Sequence, residues 1–275
     1  MTSRPTIPLL VAVVCALAMG LIGLLALGAP GAHERDADLL HAFVGLDRPH
    51  VSGRVNLVAH LTDPVPYALA GLAMTGVALL RGLRWRAAAV AGLLVVTGAA
   101  TQVAKHLLAE PRFEAWLGTQ QIGDNAWPSG HATAAMTLAL CAVLVAPPAW
   151  RLVVALAGGA FAAGVGYALL VLAWHFPSDV LGGFLMAAMW TALAVALLRV
   201  VEDPSLQAAE TGPVGPRSRL GVAVAGAGAT VAGLVGLAVL AVESDASAER
   251  STLALGALVI AALAGALSAG AARAA

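Results

Sequence analysis

Residues 124–150 read DNAWPSGHATAAMTLALCAVLVAPPAW, a short polar stretch that runs into a long apolar segment. Ser129 is of a type that often caps a helix, so the sequence predicts a helix that begins there. The first turn of a helix presents unpaired N–H groups and the positive end of its dipole, which together favour a phosphate. Gly130 lets a ligand approach the backbone closely, and His131 can exchange a proton near neutral pH. Many ordinary helices also begin with serine and glycine, so the meaning of this turn depends on its surroundings.

The composition indicates the class of protein. Hydrophobic residues make up 60% of the 275 residues, charged residues make up 11%, and the mean hydropathy is +0.88. A soluble domain of this composition would have too little polar surface, so the chain is interpreted as a membrane protein that lies in the lipid bilayer. The formal net charge is zero and the sequence has no basic patch, which argues against a nucleic-acid partner.

Eight apolar stretches are candidates for membrane-spanning helices, since a span needs about 20 residues. They are residues 7–28, 65–81, 87–109, 129–150, 152–174, 179–200, 219–242 and 252–272. The predicted fold class is therefore all-α, a polytopic transmembrane helix bundle with a six-helix core and two additional C-terminal helices. Cys15 and Cys141 lie inside two of these stretches and are interpreted as small packing residues.

The predicted organisation has three parts. Residues 1–200 form the six-helix core with an outer loop at 30–64, residues 201–218 form a cytoplasmic linker, and residues 219–275 form the two additional helices. Within the outer loop, apolar residues from 36 to 47 recur at helical spacing, which indicates a helix at the membrane interface. The loop is either a lid over a site or a covering linker, and the second interpretation is favoured. Its four histidines lack metal-ligand spacing and are interpreted as solvated or interfacial: His33, His41, His50 and His60.

Basic residues are distributed unevenly between the two sides of the predicted bundle. With the N-terminus inside, the inner side holds Arg4, Arg81, Arg84, Arg86, Arg151, Arg199, Arg217, Arg219 and Arg273. The outer side holds Arg35, Arg48, Arg54, Lys105, Arg112 and Arg250. This asymmetry predicts a multi-pass protein of the cell membrane with a cytoplasmic N-terminus. All seven histidines then fall on the outer side, so the turn at Ser129 is predicted to be extracytoplasmic.

Two cations stand at the outer end of the third predicted helix. Lys105 and Arg112 are separated by seven positions, and Pro111 is expected to end the helix between them. They are either cations that extend to the membrane interface, or ligands for an anion at the turn that begins with Ser129. Their position on the outer side, against the usual charge bias, favours the second interpretation.

A histidine and a carboxylate stand at the start of the sixth predicted helix. His175 lies just before the helix and Asp179 lies in its first turn. A carboxylate four residues on can reach one imidazole nitrogen, which fixes the tautomer and leaves the other nitrogen as a nucleophile or a base. The alternative is an Asp that caps a helix beside an interfacial His, and this pair alone does not separate the two.

The three stretches would meet at the outer ends of four predicted helices, where ionisable residues are costly and usually functional. Cations and N–H groups can hold a phosphate, one His can attack phosphorus or activate water, and the other can protonate the leaving oxygen. No metal and no cofactor is required by this scheme, because the cations supply the charge stabilisation.

These stretches resemble the motifs of the type 2 phosphatidic acid phosphatases, which read Lys-x6-Arg-Pro, Pro-Ser-Gly-His and Ser-Arg-x5-His-x3-Asp. This chain has Lys105-x6-Arg112-Phe113, Pro128-Ser129-Gly130-His131 and Ala168-Leu169-x5-His175-x3-Asp179. The resemblance implies that His175 is the nucleophile that forms a phosphohistidine, that Asp179 orients it, and that His131 is the acid for the leaving group. It also implies a set of phosphate-binding residues: Lys105, Arg112, Ser129 and Gly130.

The chain departs from the family pattern at two positions. Phe113 replaces a proline, and Leu169 stands where the third motif has its phosphate-binding arginine. One charge-assisted hydrogen bond contributes about 1.5–3 kcal/mol, so its loss from the transition state costs about ten- to a hundredfold in rate. The candidates to replace the missing cation are Arg48, Arg54 and a counter-charge on the substrate itself, and Leu169→Arg is expected to raise activity by at most about a hundredfold.

The predicted function is a membrane phosphatase whose substrate is a lipid phosphomonoester or diphosphate. Two alternatives stay open at this point. One is a phosphotransferase that passes phosphate from the same histidine to an acceptor, and the other is a catalytically weak or inactive protein that binds lipid headgroups. Vanadate-dependent haloperoxidases share the motifs by resemblance, but they are soluble, which the eight apolar stretches argue against. The lipid and the oligomeric state are left undetermined.

Overall fold

The computed structural model describes residues 5–202 and 247–274, which form nine α-helices, one 3₁₀ turn at Ala115–Leu117 and no β-strand. In chain order the helices are α1 (Thr6–Gly28), α2 (Pro30–Val44), α3 (Pro49–His60), α4 (Pro64–Leu80), α5 (Arg84–Leu107), α6 (Gly130–Val145), α7 (Arg151–Val171), α8 (Pro177–Val201) and α9 (Ser247–Ala274). The predicted all-α fold class is confirmed. The predicted helix at 219–242 and nearly all of the predicted linker lie outside the described residues.

Five of these helices are long and apolar enough to cross a membrane, namely α1, α5, α7, α8 and the part of α9 from Leu253 to Ala271. Helices α3 and α4 pass the same test together, as a pair bent by 53° at the break between them. The described residues therefore hold five spans, or six if the bent pair is one span. The predicted segment 65–81 is the second half of this pair, and α6 is a shorter apolar helix of 16 residues.

Helix α6 lies at the centre of the bundle, in contact with α4, α5, α7, α8 and α9. Every residue from Ala132 to Cys141 is buried, as expected for a helix that is apolar on all sides. The side-chain oxygen of Ser129 accepts a hydrogen bond from the N–H of Ala132 at 3.3 Å, which confirms the predicted cap. The helix ends at Val145 rather than at 150. The reason is that Ala146 precedes Pro147, and the residue before a proline disfavours the helical conformation.

Residues 30–64, which were predicted to be an outer loop with one interfacial helix, fold into the two helices α2 and α3. Proline occupies the first turn of both helices, where its missing N–H costs nothing. Leu40 and Phe43 of α2 are fully buried, so the predicted apolar face of this segment packs against the bundle. Helix α2 contacts α7, α8 and α9, and therefore forms part of the core on the side where α8 begins.

A network of buried hydroxyl groups joins α4, α5 and α6. The hydroxyl of Thr97 on α5 lies 3.3 Å from those of Tyr67 on α4 and Thr137 on α6. One turn further along α5, Thr101 donates to Thr133 of α6 at 3.4 Å. Hydrogen bonds between helices contribute to association in a membrane, where apolar packing gives no hydrophobic gain over lipid. This network holds α5 against the central helix just below the predicted site.

The last helix packs into the main hydrophobic cluster, together with residues of α1, α2, α3, α6, α7 and α8. Leu253, Ala257 and Ile260 of α9 are buried in the main hydrophobic cluster. The hydroxyl of Tyr167 on α7 donates to the carbonyl oxygen of Ala257 at 2.7 Å, which links the two helices in the interior.

Helix α8 comes very close to the start of α6 at Gly183. A Cβ atom at this position would lie 2.7 Å from the carbonyl oxygen of Ser129 and 2.9 Å from the backbone nitrogen of Thr133. Both are backbone atoms, which cannot move away without shifting the start of α6. The absence of a side chain at Gly183 therefore sets the distance between the two helices that carry the predicted site.

We expect Gly183→Ala to destabilise the protein by about 1–3 kcal/mol, the usual cost of overpacking a core. Gly164→Ala on α7 is the matched control, because a Cβ atom there would meet nothing within 4 Å. The control is expected to be neutral or slightly stabilising, since alanine favours a helix more than glycine does. Thermal unfolding in detergent measures both, and equal Tm values would contradict the prediction.

Candidate active site

The turn between α7 and α8 carries His175, one of the two histidines of the predicted site. Helix α7 ends at Val171, three residues before its predicted end, and the chain turns through Ala173, whose φ is 53°. This left-handed conformation is strained for a residue with a side chain, and such strain often marks a functional site. The N–H of Trp174 bonds back to the carbonyl of Leu169 at 2.9 Å, which closes the turn and brings His175 to the start of α8.

His175 and Asp179 are in contact. The Nδ1 atom of His175 lies 3.3 Å from Oδ2 of Asp179, so this nitrogen carries the proton that the carboxylate accepts, and Nε2 is left for a substrate. Only 7% of His175 is exposed. Burial lowers the pKa of His175 because the charged imidazolium loses solvation, and the hydrogen bond to Asp179 offsets this only in part. The lowered pKa favours the neutral form of the imidazole near pH 7.

Asp179 connects three separate segments of the chain. Its Oδ2 atom also accepts the N–H of Phe176 at 2.9 Å, and its Oδ1 atom accepts a hydrogen bond from Nη2 of Arg112 at 2.6 Å. Its backbone carbonyl accepts the N–H of Ser129 at 2.9 Å. The start of α6, the start of α8 and the segment after α5 are thus joined at one fully buried residue.

The N-terminal turn of α6 faces open space beside these groups. A Cβ atom added at Gly130 would meet nothing within 4 Å, so a ligand can approach the backbone there. Lys105 lies half-buried in the last turn of α5. Its charge acts on both His175 and Asp179, and His131 also interacts electrostatically with His175. The predicted residues Lys105, Arg112, Ser129, Gly130, His131, His175 and Asp179 therefore come together at one end of the bundle.

Arg112 has partners that the sequence did not predict. It is 6% exposed, and its guanidinium lies 4.1 Å from the centre of the Phe176 ring. Besides Asp179 it approaches Asp36 of α2, with Nη1 at 3.7 Å from Oδ2. Asp36 also accepts hydrogen bonds from the hydroxyl and the N–H of Ser178, at 2.5 and 2.9 Å. The positive charge of Arg112 is thus shared between two carboxylates.

Asp36 is an unusual member of this group. Its side chain is 10% exposed, and burial raises its pKa to about 6, because desolvation outweighs the hydrogen bonds from Ser178 and the charge of Arg112. No motif marks this residue, which lies in a stretch that was predicted only as an interfacial helix. It reaches Ser178 across 142 positions of sequence, so no local signal could have found the contact.

His131 also has an unpredicted carboxylate partner. Its Nε2 atom lies 3.1 Å from Oδ1 of Asp63, and Nδ1 of His60 lies 2.8 Å from the other oxygen of the same carboxylate. The ring of Trp174 lies beside both imidazoles, with centroids 5.4 Å from His60 and 5.6 Å from His131. The interpretation of His60 as merely solvated or interfacial was therefore incomplete, since it belongs to a cluster at the site.

His33 was likewise interpreted as solvated or interfacial, and it also has a specific partner. Its Nε2 atom lies 3.0 Å from Oε1 of Glu114. No three His, Cys, Asp or Glu side chains in the described ranges are grouped so as to hold a metal ion. The metal independence expected from the sequence stays a prediction.

The position of the missing family arginine lies in the interior. Leu169 is fully buried in the main hydrophobic cluster, packed within α7. Arg54, one of the two suggested replacements, is exposed on α3, and Arg48 is half-buried at the start of that helix.

Two comparisons with known proteins concern the fold of this chain. Residues 86–202, from α5 to the end of α8, match the model of the PAP2 superfamily. The chain is a multi-pass membrane protein whose segment from α5 to α8 is similar to this superfamily. No curated protein matches the sequence.

Among solved structures, the fold is similar to the crystal structure described as the first transmembrane PAP2 type phosphatidylglycerolphosphate phosphatase, from Bacillus subtilis. The TM-score is 0.57 and the sequences are 17% identical, over 70% of this chain and 98% of that one. This likeness extends the shared fold beyond the segment matched by the family model.

The burial of Leu169 changes what we expect of Leu169→Arg. An arginine there would bury a guanidinium in the core, and an unpaired buried charge costs about 3–5 kcal/mol. We therefore expect a lower Tm and no gain in activity per folded molecule. Leu169→Met is the control, because it keeps the volume and is expected to lose less than about 1.5 kcal/mol. A Leu169→Arg protein with the Tm of the wild type would show that the arginine finds a partner, as the family motif implies.

Proposed function

We propose that this protein is an integral membrane phosphatase that hydrolyses a phosphomonoester or a diphosphate of a membrane lipid. The observation that carries the proposal is the buried imidazole of His175, held through Nδ1 by Asp179. It lies beside the N-terminal turn of α6 and the charge of Lys105. A neutral nucleophile next to N–H donors and cations is suited to attack a phosphate.

In the first step, Nε2 of His175 attacks phosphorus and the bond from phosphorus to the lipid oxygen breaks. A phosphohistidine forms, and His131 gives its proton to the leaving oxygen. Asp179 accepts the hydrogen bond from Nδ1–H and stabilises the positive charge that develops on the ring. Lys105, Arg112, the N–H groups at Gly130 and the turn capped by Ser129 hold the phosphate oxygens.

In the second step, water attacks the phosphohistidine and the bond from phosphorus to Nε2 breaks. His131, now neutral, takes a proton from the attacking water and is ready for another cycle. Inorganic phosphate leaves, and the lipid retains a hydroxyl group, or one phosphate fewer. No metal takes part in either step, and we expect activity to survive EDTA.

A second candidate function is favoured by one observation. Arg112 is already paired with Asp179 and Asp36, and Leu169 supplies no charge, so the phosphate meets a weaker positive field than the family pattern provides. A protein that binds lipid headgroups with little or no turnover fits this arrangement. A phosphotransferase shares the first step, and adding an acceptor to the assay separates it from a phosphatase.

We expect His175→Ala to abolish phosphate release from lipid phosphates, while His106→Ala retains it. His106 is the matched control, because it lies at the same end of α5 as Lys105 but is exposed. Rapid quenching of the wild type should trap phosphate on the protein in an acid-labile, alkali-stable form, as expected of phosphohistidine. Since burial lowers the pKa of His175 from its ordinary value of 6.5, the acidic limb of kcat/KM should lie below pH 6.5. Turnover by His175→Ala would exclude the mechanism.

We also propose that the N-terminus is cytoplasmic and that the site faces away from the cytoplasm. The basic-residue asymmetry supports this orientation. A cysteine at Gly123, which is exposed near the site, is expected to react with an impermeant thiol reagent in intact cells. A cysteine at Ala149, exposed in the turn before α7, should react only after lysis. The native Cys15 and Cys141 are buried and give a low background. The reverse labelling pattern would invert the topology.

A further inference from the structure

The carboxylate of Asp63 bridges two imidazoles at the break between α3 and α4. Its Oδ1 atom lies 3.1 Å from Nε2 of His131, and its Oδ2 atom lies 2.8 Å from Nδ1 of His60. Trp174, the residue before the proposed nucleophile, lies against both rings. The two helices are bent by 53° at this break, and the contact with His131 places Asp63 at the start of α6. The proposed mechanism assigns no role to Asp63, His60 or Trp174.

We propose that Asp63 is the positioning residue of the general acid His131, and that His60 and Trp174 hold Asp63 and His131 in place. The proposal rests on the function proposed above. With Nε2 bonded to Asp63, Nδ1 is the nitrogen of His131 that turns to the substrate. The carboxylate thus selects which nitrogen delivers the proton and fixes the plane of the ring.

The two proposed reacting histidines are then held in the same manner. Asp179 binds Nδ1 of His175 and leaves Nε2 for phosphorus, whereas Asp63 binds Nε2 of His131 and leaves Nδ1 for the leaving oxygen. When His131 gives up its Nδ1 proton, the Nε2 proton stays in the hydrogen bond to Asp63. The ring is then neutral, and Nδ1 takes the proton of the attacking water in the second step. The protons balance over the cycle, and Asp63 is never protonated.

The exposure of the cluster explains why one carboxylate would need several supports. The side chains of Asp63 and His131 are 38% and 30% exposed, and an exposed ion pair alone contributes little. Two imidazoles on the two oxygens of Asp63, with one indole beside both rings, restrict the geometry more than a single pair does. This is the arrangement expected where orientation, rather than stability, is what the contact provides.

The dependence on the leaving group tests this role. An alkyl phosphate monoester needs protonation of its leaving oxygen, whereas 4-nitrophenyl phosphate has a leaving group that departs without it. General acid catalysis contributes about 10²–10⁴-fold, so loss of its positioning residue should cost about ten- to a hundredfold. We expect Asp63→Asn to lose this factor in kcat on the alkyl substrate and less than about threefold on the nitrophenyl substrate.

Four further proteins complete the experiment. His131→Ala should show the same dependence on the leaving group at larger scale, and Asp63→Glu should recover part of the loss. His60→Gln, which leaves Asp63 and His131 intact, should show the same pattern at smaller scale and keeps the test valid if Asp63→Asn does not fold. Asp47→Asn is the control, since Asp47 is exposed and hydrogen-bonded to Ser52 in the turn before α3.

The outcomes separate the two proposals. The positioning role would be overturned if Asp63→Asn and His60→Gln, each with the Tm of the wild type, lost equal activity on both substrates or lost none on either. The proposed phosphatase function would still stand. Absence of turnover by the wild type on both substrates would overturn the proposed function and this inference with it.

Discussion

The site depends on the buried carboxylate of Asp179. It accepts hydrogen bonds from His175, from the N–H of Phe176 and from Arg112, while its backbone carbonyl accepts the N–H of Ser129. A fully buried carboxylate is tolerated only when it is well paired. Its buried partners in turn would lack a hydrogen-bond acceptor without it. The starts of α6 and α8 and the segment after α5 therefore hold one another in place. Gly183 makes this possible, because it lets α8 approach the first turn of α6.

The same constraint redistributes the charge around the proposed phosphate position. Arg112 is drawn toward Asp179 and Asp36, and Leu169 is part of the core. In the proposed mechanism, a phosphate at the start of α6 thus relies on Lys105 and on the N–H groups of the helix more than the family motifs suggest. The carboxyl group of Asp36, whose pKa is about 6, titrates close to neutrality, so the net charge beside Arg112 changes in this pH range.

The part of the site that could be predicted consists of residues whose relation is local. His175 and Asp179 are four positions apart at a helix start, and Ser129 caps the helix that carries His131. Asp36 and Asp63 could not be predicted as members of the site, because no motif marks them. The partners that bring them there, Ser178 and His131, lie 142 and 68 positions away, and only the contact of Asp63 with His60 is local.

The sequence by itself determined that this is an all-α membrane protein and where most of its helices lie, because hydropathy, capping residues and prolines act within a few residues of one another. It also marked the residues of the three motifs. Only the tertiary structure decided that α6 is the central helix, that Leu169 belongs to the core, and that α2 and the α3–α4 break supply carboxylates to the site. These outcomes follow from packing and from the need to pair buried charges, and both are properties of the whole bundle rather than of any one segment.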